Sequence, residues 1–190
     1  MWTDSKDFFI WPTNFSCVVV LGDMMLPSDY SLTIGMMPNS VHGDSTAIGL
    51  HKIKQFISRF VQNSIVINID HPLLPHIAEF KTNIIYLPQD PTDYFFANVL
   101  LRKLIAISKD YFVINEITVD SSIGDRVQYR ISDSCNVYES ILNNDNWWNE
   151  DNVKTNQIDR FPSWEDLDIT VSSKFSPKLI TGGKSGNKSV

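Results

Sequence analysis

A chain of 190 residues and 21.7 kDa is long enough for one well-buried domain and short for two. Apolar residues make up 43% of it and aromatic residues 12%, which supplies a core and excludes a wholly unstructured chain. A formal net charge of −6 excludes a protein that coats nucleic acid through general basicity, because phosphate binding needs clustered Lys and Arg.

That charge is uneven. Residues 131–170 hold nine acidic and two basic side chains, and residues 171–190 hold four lysines and no acid. Asymmetry of this kind marks interaction arms more often than cores. The apolar run at 17–21 falls far short of the about 20 residues that span a bilayer, and the first four residues lack the basic start of a signal peptide. A cytosolic chain without membrane contact is expected. Cys17 and Cys135 are too few for a disulfide framework, and Cys17, ahead of three valines, reads as core filler.

In chain order, residues 8–21 are rich in aromatic and β-branched residues and end at Gly22-Asp23, which predicts a strand. A second strand is expected at 31–37, with a turn at Leu26-Pro27-Ser28-Asp29 between them. From Ser45 or Thr46 the period changes: Leu50, Ile53, Phe56, Ile57, Phe60 and Val61 share one helix face. Residues 64–69 then form a short, continuously apolar strand, and a short helix is expected after Pro72.

The pattern repeats. A strand at 83–88 closes on proline, and Asp90-Pro91-Thr92-Asp93 starts a helix that runs to about Ser108 with apolar residues around most of its circumference. A strand at 111–119, a turn at 120–126 and a strand through Tyr129 and Ile131 complete the unit. Two β-α-β units predict an α+β, two-layer sandwich: a mixed or antiparallel sheet in split β-α-β, ferredoxin-like order with extra strands, carrying two main helices on one face. Residues 1–133 are read as this core, 134–171 as an acidic aromatic arm and 172–190 as a flexible basic tail.

Three readings of function compete. All four histidines fall between positions 42 and 76, so His42, Asp44, Asp70, His71 and His76 are the candidate metal ligands of a hydrolase or nuclease; no zinc-protease or finger spacing accompanies them. Asp23, Asp90, Asp93 and Asp120 add carboxylates at element ends, which capping and turns explain equally well. Nucleic acid is the next reading, through Lys52, Lys54, Arg59 and Lys103 on the helices, and no RNA-binding aromatic motif supports it. Gly183-Lys184-Ser185 resembles a phosphate loop only superficially, since no glycine precedes it at the required spacing and no helix can follow.

The arm carries the leading reading. Trp147, Trp148, Phe161, Trp164 and Leu167 are aromatic and apolar anchors in a polar background, a pattern suited to interface hot spots. The expectation is a non-enzymatic adaptor, assembly or regulatory protein, without cofactor or catalytic residues, that binds a protein partner or neighbouring copies through this arm. The alternative is that these side chains fold back over the chain's own sheet. Richness in Asn, Ile, Asp and Ser also suits a bacteriophage or AT-rich bacterial source.

Overall fold

The computed structural model describes residues 8–39, 43–80, 82–132, 138–143 and 146–153, with backbone alone at 43–45. Contacts divide the chain into a compact unit, Met1–Ile158, and a second, Asp159–Val190, that lies outside the described residues.

The fold is α+β with a six-stranded mixed sheet. Alternating burial along β1 (Phe9–Leu21) and β2 (Met24–Pro38) sends Phe15, Cys17, Val19, Tyr30, Leu32, Ile34 and Met36 to one face. The hairpin turns at Gly22-Asp23, where Gly22 takes a φ of 54° that suits glycine. The expected turn at 26–29 is instead the middle of β2. Its polar residues are absorbed by side-chain bonds: Ser28 shares a hydrogen bond of 3.3 Å with Ser122, and the Ser16 hydroxyl donates to Asp29 Oδ1 at 2.6 Å.

Helix α1 (Gly43–Phe56) continues into a π-helical turn, Ile57–Val61, which closes with Gln62 N donating to Ile57 O at 2.8 Å. The chain then enters β3 (Ile65–Asn68), the short helix α2 (Leu74–Ile77) and β4 (Ile84–Leu87). Helix α3 (Asp93–Ser108) is capped by Thr92, whose hydroxyl accepts from Phe95 N. The cap therefore sits two residues beyond the expected Asp90. Strands β5 (Phe112–Ser121) and β6 (Tyr129–Ser132) follow, then α4 (Glu139–Leu142) and a 3₁₀ turn at Trp147–Asn149.

The sheet order is β4-β3-β1-β2-β5-β6. Strands β1, β3 and β4 run parallel to one another, and β2 runs antiparallel to both β1 and β5. The unit from β4 through α3 to β5 is thus a split parallel crossover. In the unit from β2 through α1 to β3 the strands run opposite ways, because β1 of the hairpin lies between them.

Both long helices cover one face. Ile53, Phe56, Phe60, Phe95, Phe96, Leu100 and Leu104 meet the inward side chains of the sheet in the main core. A smaller core on the other face joins Val20, Ile65, Ile67 and Ile84 to Ile77 of α2. Burial on both faces explains why β3 reads as an unbroken apolar run. Along β1-β2-β5-β6 that second face has no covering layer among the described residues.

The packing does not divide at residue 133. Leu142, Trp147, Trp148 and Val153 belong to the main core, and Trp147 and Trp148 are 2% and 1% exposed. They pack on α3 rather than over the open sheet face. Trp147 Nε1 donates to Tyr86 O on the edge strand β4 at 3.1 Å, which covers a group that would otherwise invite pairing. Trp148 Nε1 donates to Leu142 O at 3.0 Å. Lys103 locks this segment from below, its Nζ donating to Trp147 O at 2.7 Å, Glu150 O at 3.1 Å and Asn152 Oδ1 at 3.4 Å.

Candidate functional site

The open face concentrates polar residues at the even positions of β1 and the odd positions of β2. A cavity of about 440 Å³ there is lined by Asn14, Ser16, Asp29, Ser31, Gln62, Asp120 and Arg126, with Phe15 and Tyr30 contributing to its floor. A second, of about 320 Å³, adjoins it through Ser16 and Asp29 and is lined also by Cys17 and Asn63. Strand pairing sets these residues beside one another: Asn14 lies opposite Ser31 and Ser16 opposite Asp29 on β1–β2, and Ser31 opposite Asp120 on β2–β5.

Two loops frame the cavities. After the π-helical turn, Gln62 Oε1 accepts from Ser16 N at 3.1 Å, and its amide donates to Asn63 Oδ1 at 2.9 Å. On the far side, Ser122 N donates to Asp29 O at 2.9 Å and Asp29 N donates to the Ser122 hydroxyl at 3.0 Å. Arg126 reaches back, its guanidinium donating to Asp29 O at 3.3 Å and to Asp120 Oδ1 at 3.2 Å. Asn63, Asp125 and Arg126 are the non-glycine residues with positive φ among those described, at 60°, 50° and 59°. Each such conformation costs about 1–2 kcal/mol. Two of the three line the cavities and the third neighbours them, so backbone strain gathers at this one place, as it does around binding and catalytic sites.

Beneath the cavity a buried network ties α3 to the sheet. The Tyr30 hydroxyl donates to Asp93 Oδ1 at 2.9 Å, the Ser121 hydroxyl donates to Asp93 Oδ2, and Gly124 N donates to Ser121 Oγ at 2.9 Å. A Cβ at Gly124 would collide with the Asp93 carboxylate, so the loop's close approach requires glycine. Burial raises the Tyr30 hydroxyl well above its ordinary range, with Cys17 and Asp93 adding to the effect. Burial likewise pushes the Cys17 thiol up to about 12, and Asp93 and Asp29 add to it. Both groups are protonated at neutral pH.

The residues singled out from sequence are scattered. His71 Nδ1 accepts from Leu73 N at 3.1 Å, so its Nε2 carries the proton and donates to Gly22 O at 2.8 Å. With both ring nitrogens occupied, His71 clasps the β1–β2 turn and has no lone pair left for a metal. Asp70 and His76 are exposed in the same connection, Asp44 lies in the first turn of α1, and His42 lies outside the described residues. Among the described residues no three His, Cys, Asp or Glu side chains converge.

The basic set does not converge either. Lys103 is fully buried and committed to the 147–152 segment, so it is not a nucleic-acid contact. Lys52 lies over the Tyr111 ring at 5.0 Å and Lys54 over Trp11 at 5.9 Å, while Arg59 is exposed at the π-helical turn. Trp147 and Trp148, expected to anchor a partner, are core residues; Phe161, Trp164 and Leu167 lie outside the described residues. The cavity residues themselves carry no motif. Their one sequence signal is the polar half of the strand alternation, at Asn14, Ser16, Asp29, Ser31 and Asp120.

No protein-family model matches the chain, and no curated protein matches it. Two solved structures are similar to it at low levels. One is an uncharacterized protein from Wolinella succinogenes, 13% identical, with a TM-score of 0.48 over 67% of this chain and 98% of that one. The other is 6-pyruvoyl tetrahydropterin synthase from Plasmodium vivax, 9% identical, with a TM-score of 0.35 over 66% of this chain and 97% of that one. Likeness at these levels carries no activity across.

Proposed function

We propose that the chain is a non-enzymatic binding protein, an adaptor, assembly or regulatory component of the cytosol, that takes a protein partner or a neighbouring copy. Its contact surface in this reading is the uncovered face of β1, β2 and β5 around the polar cavity. The acidic segment with Phe161, Trp164 and Leu167 remains a second contact, whereas Trp147 and Trp148 do not.

One observation carries the reading: the two long helices and the 146–153 segment close one side of the sheet, while the other face holds a polar cavity framed by strained loops. Strain retained at a rigid surface suits recognition. The chemistry of the surrounding groups supports the same direction, because the thiol and phenol nearest the cavity are held protonated.

Amide exchange in the assembled particle tests the reading. Protection gained on assembly is expected at residues 14–16, 29–33 and 118–126. Protection confined to the outer faces of α1 and α3 counts against it.

A further inference from the structure

The geometry points to the free edge of β1 as the docking site for an extended, acidic peptide segment of a protein partner. Strand β1 pairs with β2 along its whole length but with β3 only at Val18 and Val19. At Ser16 the edge is closed by the residues that follow the π-helical turn: Ser16 N donates to Gln62 Oε1, Asn63 N donates to Ser16 O, and Val18 N donates to Ser64 O. These bonds fix the alternation, so the even-numbered residues of β1 direct their backbone groups toward this edge.

Upstream of Ser16 the edge has no paired strand among the described residues. Ile10 and Asn14 present N–H and C=O there, and Pro12 presents C=O alone, with no hydrogen-bond partner among the described residues. A row of donors and acceptors repeating every two residues is matched by another extended backbone and by little else. Pro12 removes the central donor. An uninterrupted row would pair indiscriminately, copies of this chain included, and proline on an edge weakens that while leaving the flanking groups intact.

The edge also has a wall. A groove of about 240 Å³ runs between Trp11, Thr13 and Asn14 of β1 and Lys54, Ile57 and Gln62 of the helical side. Trp11 and Ile57 suit apolar side chains of an added strand. Lys54 is the charged residue among those lining the groove; it is exposed, lies over the Trp11 ring, and has no carboxylate partner among the described residues. Charge complementarity therefore selects an acidic partner, alternating with apolar residues. This inference rests on the binding role proposed above and names the chemistry of the partner; it fails separately, because it concerns the edge of β1 and that reading concerns the sheet face.

The test uses the full chain and a synthetic heptapeptide alternating Glu and Val, read by fluorescence anisotropy and by amide exchange at Ile10 and Asn14. Saturable binding with protection of both amides is expected. Asn14→Pro removes an outward N–H, as Pro12 already does without disturbing the β1–β2 ladder, and should weaken binding about tenfold. Pro12→Val supplies the missing donor and should tighten it about three- to tenfold; it carries the test alone if the Asn14 variant does not fold. Lys54→Glu should abolish the preference for Glu over Lys in the peptide. The inference is overturned if neither the wild type nor Pro12→Val protects the two amides. Equal binding of a peptide N-methylated at alternate residues would overturn it too, as would protection that arises without peptide and grows with chain concentration, which would make a second copy the occupant.

Discussion

Burial holds the Cys17 thiol near 12, above its ordinary 9.0. The stability it contributes is therefore complete below pH 9 and is lost as the pH climbs toward 12. At pH 8 the folded chain should resist alkylation at Cys17 and react there only after denaturation, as peptide mass mapping would report. Labelling of Cys17 in the folded chain would mean that its pocket opens. Lys103 has the opposite sign. Burial pushes its ammonium down from 10.5 to about 8 against the raising effect of Glu150 and Asp151. The cost of keeping it charged is full below pH 8 and is relieved as the pH rises toward 10.5. Between pH 8 and 9 the Lys103 contribution should raise stability in urea melts by about 1 kcal/mol, offset in small part by the onset of Cys17 ionisation in the unfolded chain. Lys103→Met should flatten that rise. The burial of Cys17 shows in the sequence, in the three valines that follow it, whereas Lys103 reads there as one of several helical lysines; its burial is created by a segment more than forty positions away.

At the scale of elements, the 146–153 segment is part of the fold: it covers α3 and an edge carbonyl of β4. Truncation after residue 133 should lower the melting temperature by well over 10 °C, because it removes Trp147 and Trp148, each of which costs about 3–5 kcal/mol when deleted from a core. Truncation after Ile158 should leave it within a few degrees. A stable chain ending at 133 would refute this assignment. The strands and the two long helices were legible in the sequence because period 2 and period 3.6 are written in the apolar residues of 8–21, 45–61 and 93–108. The hairpin turn was not, since Pro27-Ser28-Asp29 has turn chemistry that Ser16 and Ser122 neutralise from other strands. Nor was the role of the tryptophans, because burial of their rings depends on α3, a helix about forty positions away in sequence.

At the scale of the whole sheet, the two faces are unlike. The two long helices and the tryptophan segment close one, while the other holds Asn14, Ser16, Asp29, Ser31, Asp120 and Arg126 around a cavity at its centre. Among the described residues no helix is long and apolar enough to cross a membrane. The candidate site was only faintly legible beforehand. Its residues come from β1, β2, β5, the residues after the π-helical turn and the β5–β6 loop, and the pairing of strands far apart in sequence is what brings them together. The native mass of the full chain tests the central claim most directly, with Ser31→Arg placing bulk and charge at the middle of the open face. The account predicts that the wild type runs as a particle heavier than 21.7 kDa, with a partner or further copies. Ser31→Arg should run as the free chain with an unchanged melting temperature. A wild type that runs alone at every concentration and co-purifies with nothing, or a Ser31→Arg particle of undiminished mass, would contradict it.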